Sequence, residues 1–128
     1  MKLRPATAED ARLLFDWRNE PLTRAMSVST EPVTWEAHLQ WLSARLARPE
    51  PGLYICEDNG SARGMVRIDD DQISYSIDLN FRGKGAATRM LMLARHHFGP
   101  KRARIKRSNE ASAKAAMKAG HTVEYIKD

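Results

Sequence analysis

Residues Arg82-Gly83-Lys84-Gly85-Ala86-Ala87-Thr88 stand between two opposite periodicities. Before them Ile73, Tyr75, Ile77 and Leu79 alternate, which predicts a strand. After them Ala87, Met90, Leu91, Ala94 and Phe98 recur at helical spacing. The chain must therefore turn from strand to helix over a few small residues. The first amides of such a helix have no helical partner and carry the positive end of its dipole, so the turn is a cradle for an anion. Gly83 and Gly85 have no Cβ, which lets a diphosphate approach the backbone. Arg82 and Lys84 add charge at the mouth. A tight connection with two turn glycines is the plain alternative. A dinucleotide fingerprint is excluded, because Thr88 stands where its third glycine belongs, and no GxxxxGK[ST] spacing exists.

The chain of 128 residues predicts a single domain, 1–128, with one core. Its net charge of +5 suits an anionic ligand: nucleic acid, coenzyme A or a nucleotide sugar. The densest basic run, Lys101 to Arg107, alternates like a strand with one charged face. No nucleic-acid motif accompanies it, so nucleic acid is not the expected partner. The single cysteine, Cys56, lies in the apolar run Leu53-Tyr54-Ile55-Cys56 and reads as a buried, inert thiol. No apolar run reaches 18 residues and the N-terminus has no apolar signal core, so a cytoplasmic protein without a membrane partner is expected. Asp69-Asp70-Asp71 reads as a solvated turn, because consecutive residues point different ways, and no metal site is expected.

Lys2 to Arg4 predicts a first strand. Thr7 starts a helix with the stripe Ala11, Leu14, Phe15 and Arg18, ending near Asn19-Glu20-Pro21. Leu22 to Pro32 reads as irregular. Thr34 caps a second helix, where Trp35, Leu39, Leu42 and Leu46 form the apolar stripe. Strands follow at 53–57 and 64–68 around the turn Asp58-Asn59-Gly60-Ser61. Then come strand 72–79, helix 85–98, strand 102–107, a helix capped by Ser108 or Asn109 and ending at Gly120, and strand 122–126. The order β-α-α-β-β-β-α-β-α-β predicts an α/β (α+β) fold with a mixed sheet.

Arg82, Gly85 and Ala87 satisfy R/Q-x-x-G-x-G/A. Asn109-Glu110-Ala111-Ser112 opens a helix that closes with Ala119-Gly120-His121, like an N-x-x-S…A-G-F pattern with His in place of Phe. Over nearly its whole length the chain resembles the GNAT acetyltransferase superfamily. The resemblance implies the GNAT fold: a mostly antiparallel sheet of about six strands with four helices. It also implies a shortened C-terminal edge, completed by a partner chain if the protein is a homodimer. It implies acetyl-CoA as co-substrate and no metal, with the diphosphate on Arg82, Gly83, Lys84, Gly85, Ala86, Ala87 and Thr88. The pantetheine arm would pair with the strand end at Ile77, Asp78 and Leu79, with an amide near Leu79 polarising the carbonyl. Asn109 and Ser112 match positions that touch the coenzyme. Ala116 stands where many relatives carry a thiolate-protonating Tyr, so that role has no assigned residue.

Trp17-Arg18-Asn19, then Met26, then His38-Leu39-Gln40-Trp41, resemble the subgroup that acetylates 4-amino-sugar nucleotides, especially in pseudaminic acid synthesis. This implies a small-molecule amine acceptor, a sugar nucleotide, bound by Trp17, Arg18, Asn19, Met26 and His38. His38 is the candidate base, because histidine titrates near neutrality. Arg18 and His38 read equally well as solvated helix residues. Two alternatives stay open: a protein N-terminal or lysine acetyltransferase, and a non-catalytic acyl-CoA-binding module.

Overall fold

A computed structural model describes residues 1–128. Six strands form one sheet in sequence order: β1 (Lys2–Pro5), β2 (Leu53–Asp58), β3 (Ser61–Asp69), β4 (Gln72–Ile77), β5 (Arg102–Lys106) and β6 (Thr122–Ile126). β1 to β4 run antiparallel, while β4, β5 and β6 run parallel. The crossovers that parallel pairs require are α4 (Ala86–Phe98) and α5 (Glu110–Lys118). Helices α1 (Ala11–Asn19), α2 (Pro21–Met26) and α3 (Trp35–Leu46) fill the connection between β1 and β2.

Alternation along β2 separates two cores. Leu53 and Ile55 face one layer with Leu14, Trp17 and Leu42 of α1 and α3. Tyr54 and Cys56 face the other, with Met90, Leu91, Ala94 and Ala116 of α4 and α5. Burial raises the Cys56 thiol pKa to about 11, which keeps it inert.

Several local signals form as read. Asp10 accepts from the Thr7 amide at 2.8 Å, and Thr34 Oγ1 caps α3 through the Ala37 amide at 3.2 Å. Asn109 Oδ1 caps α5 through the Ser112 amide at 3.4 Å. Three expectations change. The segment read as irregular contains α2, which starts at Pro21 and is capped by Glu20, whose carboxylate accepts from the Leu22 and Thr23 amides at 3.0 Å each. β4 stops at Ile77, and Leu79–Phe81 forms a 3-10 turn capped by Asp78. On α3 the buried stripe is His38, Leu42 and Arg45, while Leu39 is 39% exposed. The inward phase of α3 thus carries two polar side chains, each buried with a partner.

His121 is also a structural side chain. Its Nδ1 accepts from the Lys101 amide at 3.0 Å, so Nε2 carries the proton and donates to Leu91 O at 2.8 Å. It ties the start of β6 to α4 and to the residue preceding β5.

Candidate active site

The loop after β4 has the shape that its composition predicts. Gly83 and Gly85 take φ values of +77° and +74°, a left-handed backbone that disfavours other residues. A Cβ at either position would meet nothing within 4 Å, so open space lies in front of the loop. The Arg89 amide is the first in α4 with a helical acceptor, Gly85 O at 3.2 Å. The amides of Ala86, Ala87 and Thr88 are therefore free to bind an anion.

β4 and β5 are joined only at Gln72↔Arg102, whereas β5 and β6 pair along five residues. Their C-terminal ends splay apart. Asp78 donates its amide to Arg63 O at 2.8 Å across β3. By antiparallel alternation, Tyr75 and Ile77 then turn their backbone groups toward the gap. Arg82 Nε reaches the Ile77 carbonyl from there at 3.1 Å.

A cavity of about 740 Å³ passes through this gap. At one end it is lined by Gly83, Gly85 to Thr88, Asn109 and Ser112. At the other it is lined by Trp17, Arg18, Met26 and Trp41 of the α1–α3 layer. A smaller cavity of about 250 Å³ beside it is lined by Asp78 and Leu79, and shares Trp17, Thr23, Ile77 and Arg82 with the first. The sheet opening thus connects an anion cradle on one face to an aromatic and arginine-rich chamber on the other.

Not every residue singled out from the sequence stands free in this space. Arg82 does not project from the loop as a free cation. Its Nη2 bonds Glu20 Oε2 and Thr23 Oγ1, each at 2.9 Å, and anchors α2. Burial would raise the Glu20 pKa, but the Leu22 and Thr23 amides, the Thr23 hydroxyl and Arg82 hold it down to about 2. Lys84 lines neither cavity and extends past Phe81, with Nζ 6.0 Å from the ring. Asp78 accepts from Trp17 Nε1 at 2.7 Å and from the Asn80 amide at 2.9 Å, so its carboxylate locks α1 to the end of β4. Asn19 bonds both Val33 O and Val33 N at 2.8 Å, pinning the segment before α3 rather than lining the cavity.

His38 is the largest departure. It is 0% exposed and lines neither cavity. Its Nε2 bonds Ala11 O at 2.8 Å, and its ring lies within 5.4–5.9 Å of Phe15, Trp35 and Trp41. Burial lowers its pKa, and the Arg18 charge adds to that. A neutral, enclosed imidazole cannot accept a proton from a substrate in the cavity, so the base assignment is withdrawn. The H-x-x-W spacing instead stacks His38 on Trp41 at 27°, and Trp41 carries Arg18 with Cζ 4.9 Å from its ring centroid.

Two cavity residues were not singled out as site residues. Tyr75 is the only tyrosine lining the cavity, and its hydroxyl is paired with Ser112 Oγ and lies 3.0 Å from Ser112 O. Its alternation phase alone marked it merely as a strand residue. Arg67 on β3 lines the chamber beside Arg18 and bonds Asp69 at 3.1 Å and Ser74 Oγ at 3.2 Å. Asp69 also accepts from Arg45 at 2.5 Å and Arg48 at 3.1 Å, so the first member of the acidic turn is an arginine hub rather than a solvated residue.

The acetyltransferase (GNAT) domain model matches residues 1–122. The chain belongs to the GNAT acetyltransferase family. None of the curated proteins matches this GNAT domain in sequence. An N-acetyltransferase from Staphylococcus aureus is 26% identical, with a TM-score of 0.65 over 91% of this chain and 80% of its own. The spermidine N-acetyltransferase of Vibrio cholerae, solved with CoA and spermine, is 14% identical, with a TM-score of 0.79 over 93% and 79%. An aminoglycoside acetyltransferase solved with coenzyme A and kanamycin is 20% identical, with a TM-score of 0.74 over 92% and 81%. The two less identical neighbours establish the shared fold. No helix of this GNAT domain is long and apolar enough to cross a membrane.

Proposed function

We propose that this GNAT domain transfers acetyl from acetyl-CoA to the amine of a small molecule by direct attack in a ternary complex. The carrying observation is the continuous cavity from the free amides of the glycine loop, through the splayed strands, to the Trp17–Arg18–Met26 chamber. The residues present fit acetyl-CoA. The amides of Gly83 to Thr88 would hold its diphosphate, and Asn109 and Ser112 would flank the arm. The turned backbone of Tyr75 and the amide of Ile77 would pair with it, while the Ile77 carbonyl is held by Arg82 Nε. Leu79 opens the 3-10 turn, and its amide has no intramolecular acceptor, leaving an N–H to polarise a carbonyl. Acetyl-CoA supplies an activated acyl group, and this chain supplies position and hydrogen bonds.

The acceptor, in this reading, is an amino-sugar nucleotide. The cavity lining contains no histidine or aspartate, and its one carboxylate, Glu31, is exposed. The adjoining cavity at Leu79 holds Asp16, Glu20 and Asp78, each already paired, with Arg12, Arg82 and Trp17, so proton removal falls to water. An amine on a sugar ring is less basic than a lysine, whose reference pKa is about 10.4, and needs less help. The test pairs calorimetry of acetyl-CoA binding with thiol release from 4-amino-sugar nucleotides and from lysine-containing and N-terminal peptides. Sugar-nucleotide turnover supports the reading. Turnover of peptides alone reverses it, and acetyl-CoA binding without turnover of any amine makes the domain a binding module.

A further inference from the structure

Five arginines line the large cavity (Arg18, Arg24, Arg67, Arg82 and Arg104) against one carboxylate, the exposed Glu31. Two of the five are held by hydrogen bonds, and a third, Arg104, is 45% exposed to water beside a carboxylate that Arg102 also holds. Arg82 is paired with Glu20 at 2.9 Å, and Arg104 stands 4.0 Å from Glu124. Arg24 donates to the carbonyls of Asn19 at 3.2 Å and Thr30 at 3.4 Å.

Arg18 and Arg67 differ. Arg18 makes no hydrogen bond, and its Nη1 is buried without a partner. Its aromatic support is Trp41, braced in turn by the buried His38. Arg67 commits Nε to Asp69 and Nη2 to Ser74, leaving Nη1 without a partner. Asp69 is itself divided among Arg45, Arg48 and Arg67, so one carboxylate serves three guanidiniums. Arg18 adds a fourth positive charge with no counter-ion. Burial, then the charge of Arg67, works against its charged form. Arginine does not release its proton in such a site, so the cation persists and needs an anion. A half-buried guanidinium with free donors matches the planar, bidentate acceptors of phosphate and carboxylate.

We propose that Arg18 and Arg67 form a seat for an anionic group on the acceptor, so that this GNAT domain acetylates amines bearing a phosphate or carboxylate and rejects polycations. Spermine and kanamycin, bound by the two structural neighbours, are polycations. The same charges that seat an anion repel such acceptors, which makes the arginine pair both an attractive and an exclusive element. The amine part of this proposal rests on the function proposed above, whereas the anion seat stands on the unpartnered Nη1 atoms of Arg18 and Arg67 alone.

Two measurements test it. In the first, protein saturated with coenzyme A is titrated calorimetrically with inorganic pyrophosphate and with acetate. Wild type is expected to bind one anion, Arg18→Gln and Arg67→Gln at least tenfold more weakly, and Arg18→Lys with partial recovery. No binding by wild type, or equal binding by both Gln variants, overturns the seat. In the second, thiol release is compared for glucosamine, glucosamine 6-phosphate, 2-amino-2-deoxyglucuronate and spermidine. The phosphate or carboxylate amine is expected to exceed glucosamine at least tenfold in kcat/KM, and which one leads identifies the anion. That advantage is expected to vanish in both Gln variants while acetyl-CoA affinity holds. Preference for spermidine, or an advantage surviving both substitutions, overturns the specificity. A working anion seat with no turnover of these amines, of 4-amino-sugar nucleotides or of peptides overturns the enzyme reading instead.

Discussion

Gly85→Ala separates binding from folding. Gly85 sits at φ +74° immediately before α4, and an added Cβ meets nothing within 4 Å. The cost to the fold is therefore backbone strain alone, about 1–2 kcal/mol. For a chain of this length the unfolding entropy is about 0.27 kcal/mol/K, so the apo protein should melt about 4–7 °C lower. Gly99 supplies the control at the other end of the same helix. Its φ is +81°, and its Cβ would likewise meet nothing within 4 Å. Gly99→Ala should show a similar apo shift. The two variants part company when acetyl-CoA is added. At about 100 times Kd, ligand stabilises wild type and Gly99→Ala by about 2.7 kcal/mol, near 10 °C. Gly85→Ala places a methyl group where the diphosphate must approach free amides, so the ligand-induced shift should collapse and calorimetry should read at least a tenfold weaker Kd. Retained affinity within twofold would refute the cradle assignment. An apo loss far above about 2 kcal/mol would refute the open space in front of the loop.

His38 predicts a pH dependence. Burial depresses its folded pKa, so protonation favours the unfolded chain. Stability is full above about pH 6.5 and drains below it, by up to about 1.4 kcal/mol per unit. Urea midpoints at pH 7.5 and 5.5 should therefore differ in wild type and differ less in His38→Phe. Glu20, held at about 2, adds its own loss only as pH falls below its ordinary value of 4.5. His121→Phe removes the acceptor for the Lys101 amide and should cost about 1–3 kcal/mol in urea denaturation, with no change in m value. Arg82→Gln should cost about 0.5–1 kcal/mol by releasing Glu20 from its partly exposed pair, yet leave the acetyl-CoA Kd within threefold, because its guanidinium is held by Glu20, Thr23 and the Ile77 carbonyl rather than standing at the loop mouth.

What the sequence by itself determined was local. Alternation in β4, helical spacing in α4, the two glycines between them, and the caps at Thr7, Thr34 and Asn109 each depend on residues within a few positions of one another. Such signals survive without knowledge of what packs against them. The signal for α2 was present too, in Glu20 followed by Pro21, but six residues offer too little periodicity to display it. Tertiary structure decided the rest. The phase of α3 turned on which face met α1, and it buried His38 and Arg45 in place of Leu39, because Ala11 O and Asp69 wait there for donors. Arg82 was chosen by Glu20, 62 positions away, and Tyr75 by Ser112, 37 away. The chamber around Arg18 of α1 owes its second charge to Arg67 of β3. A polar side chain takes its role from the partner that the fold delivers to it, and those partners are distant in sequence, whereas an amide at a helix start is free because of its own position.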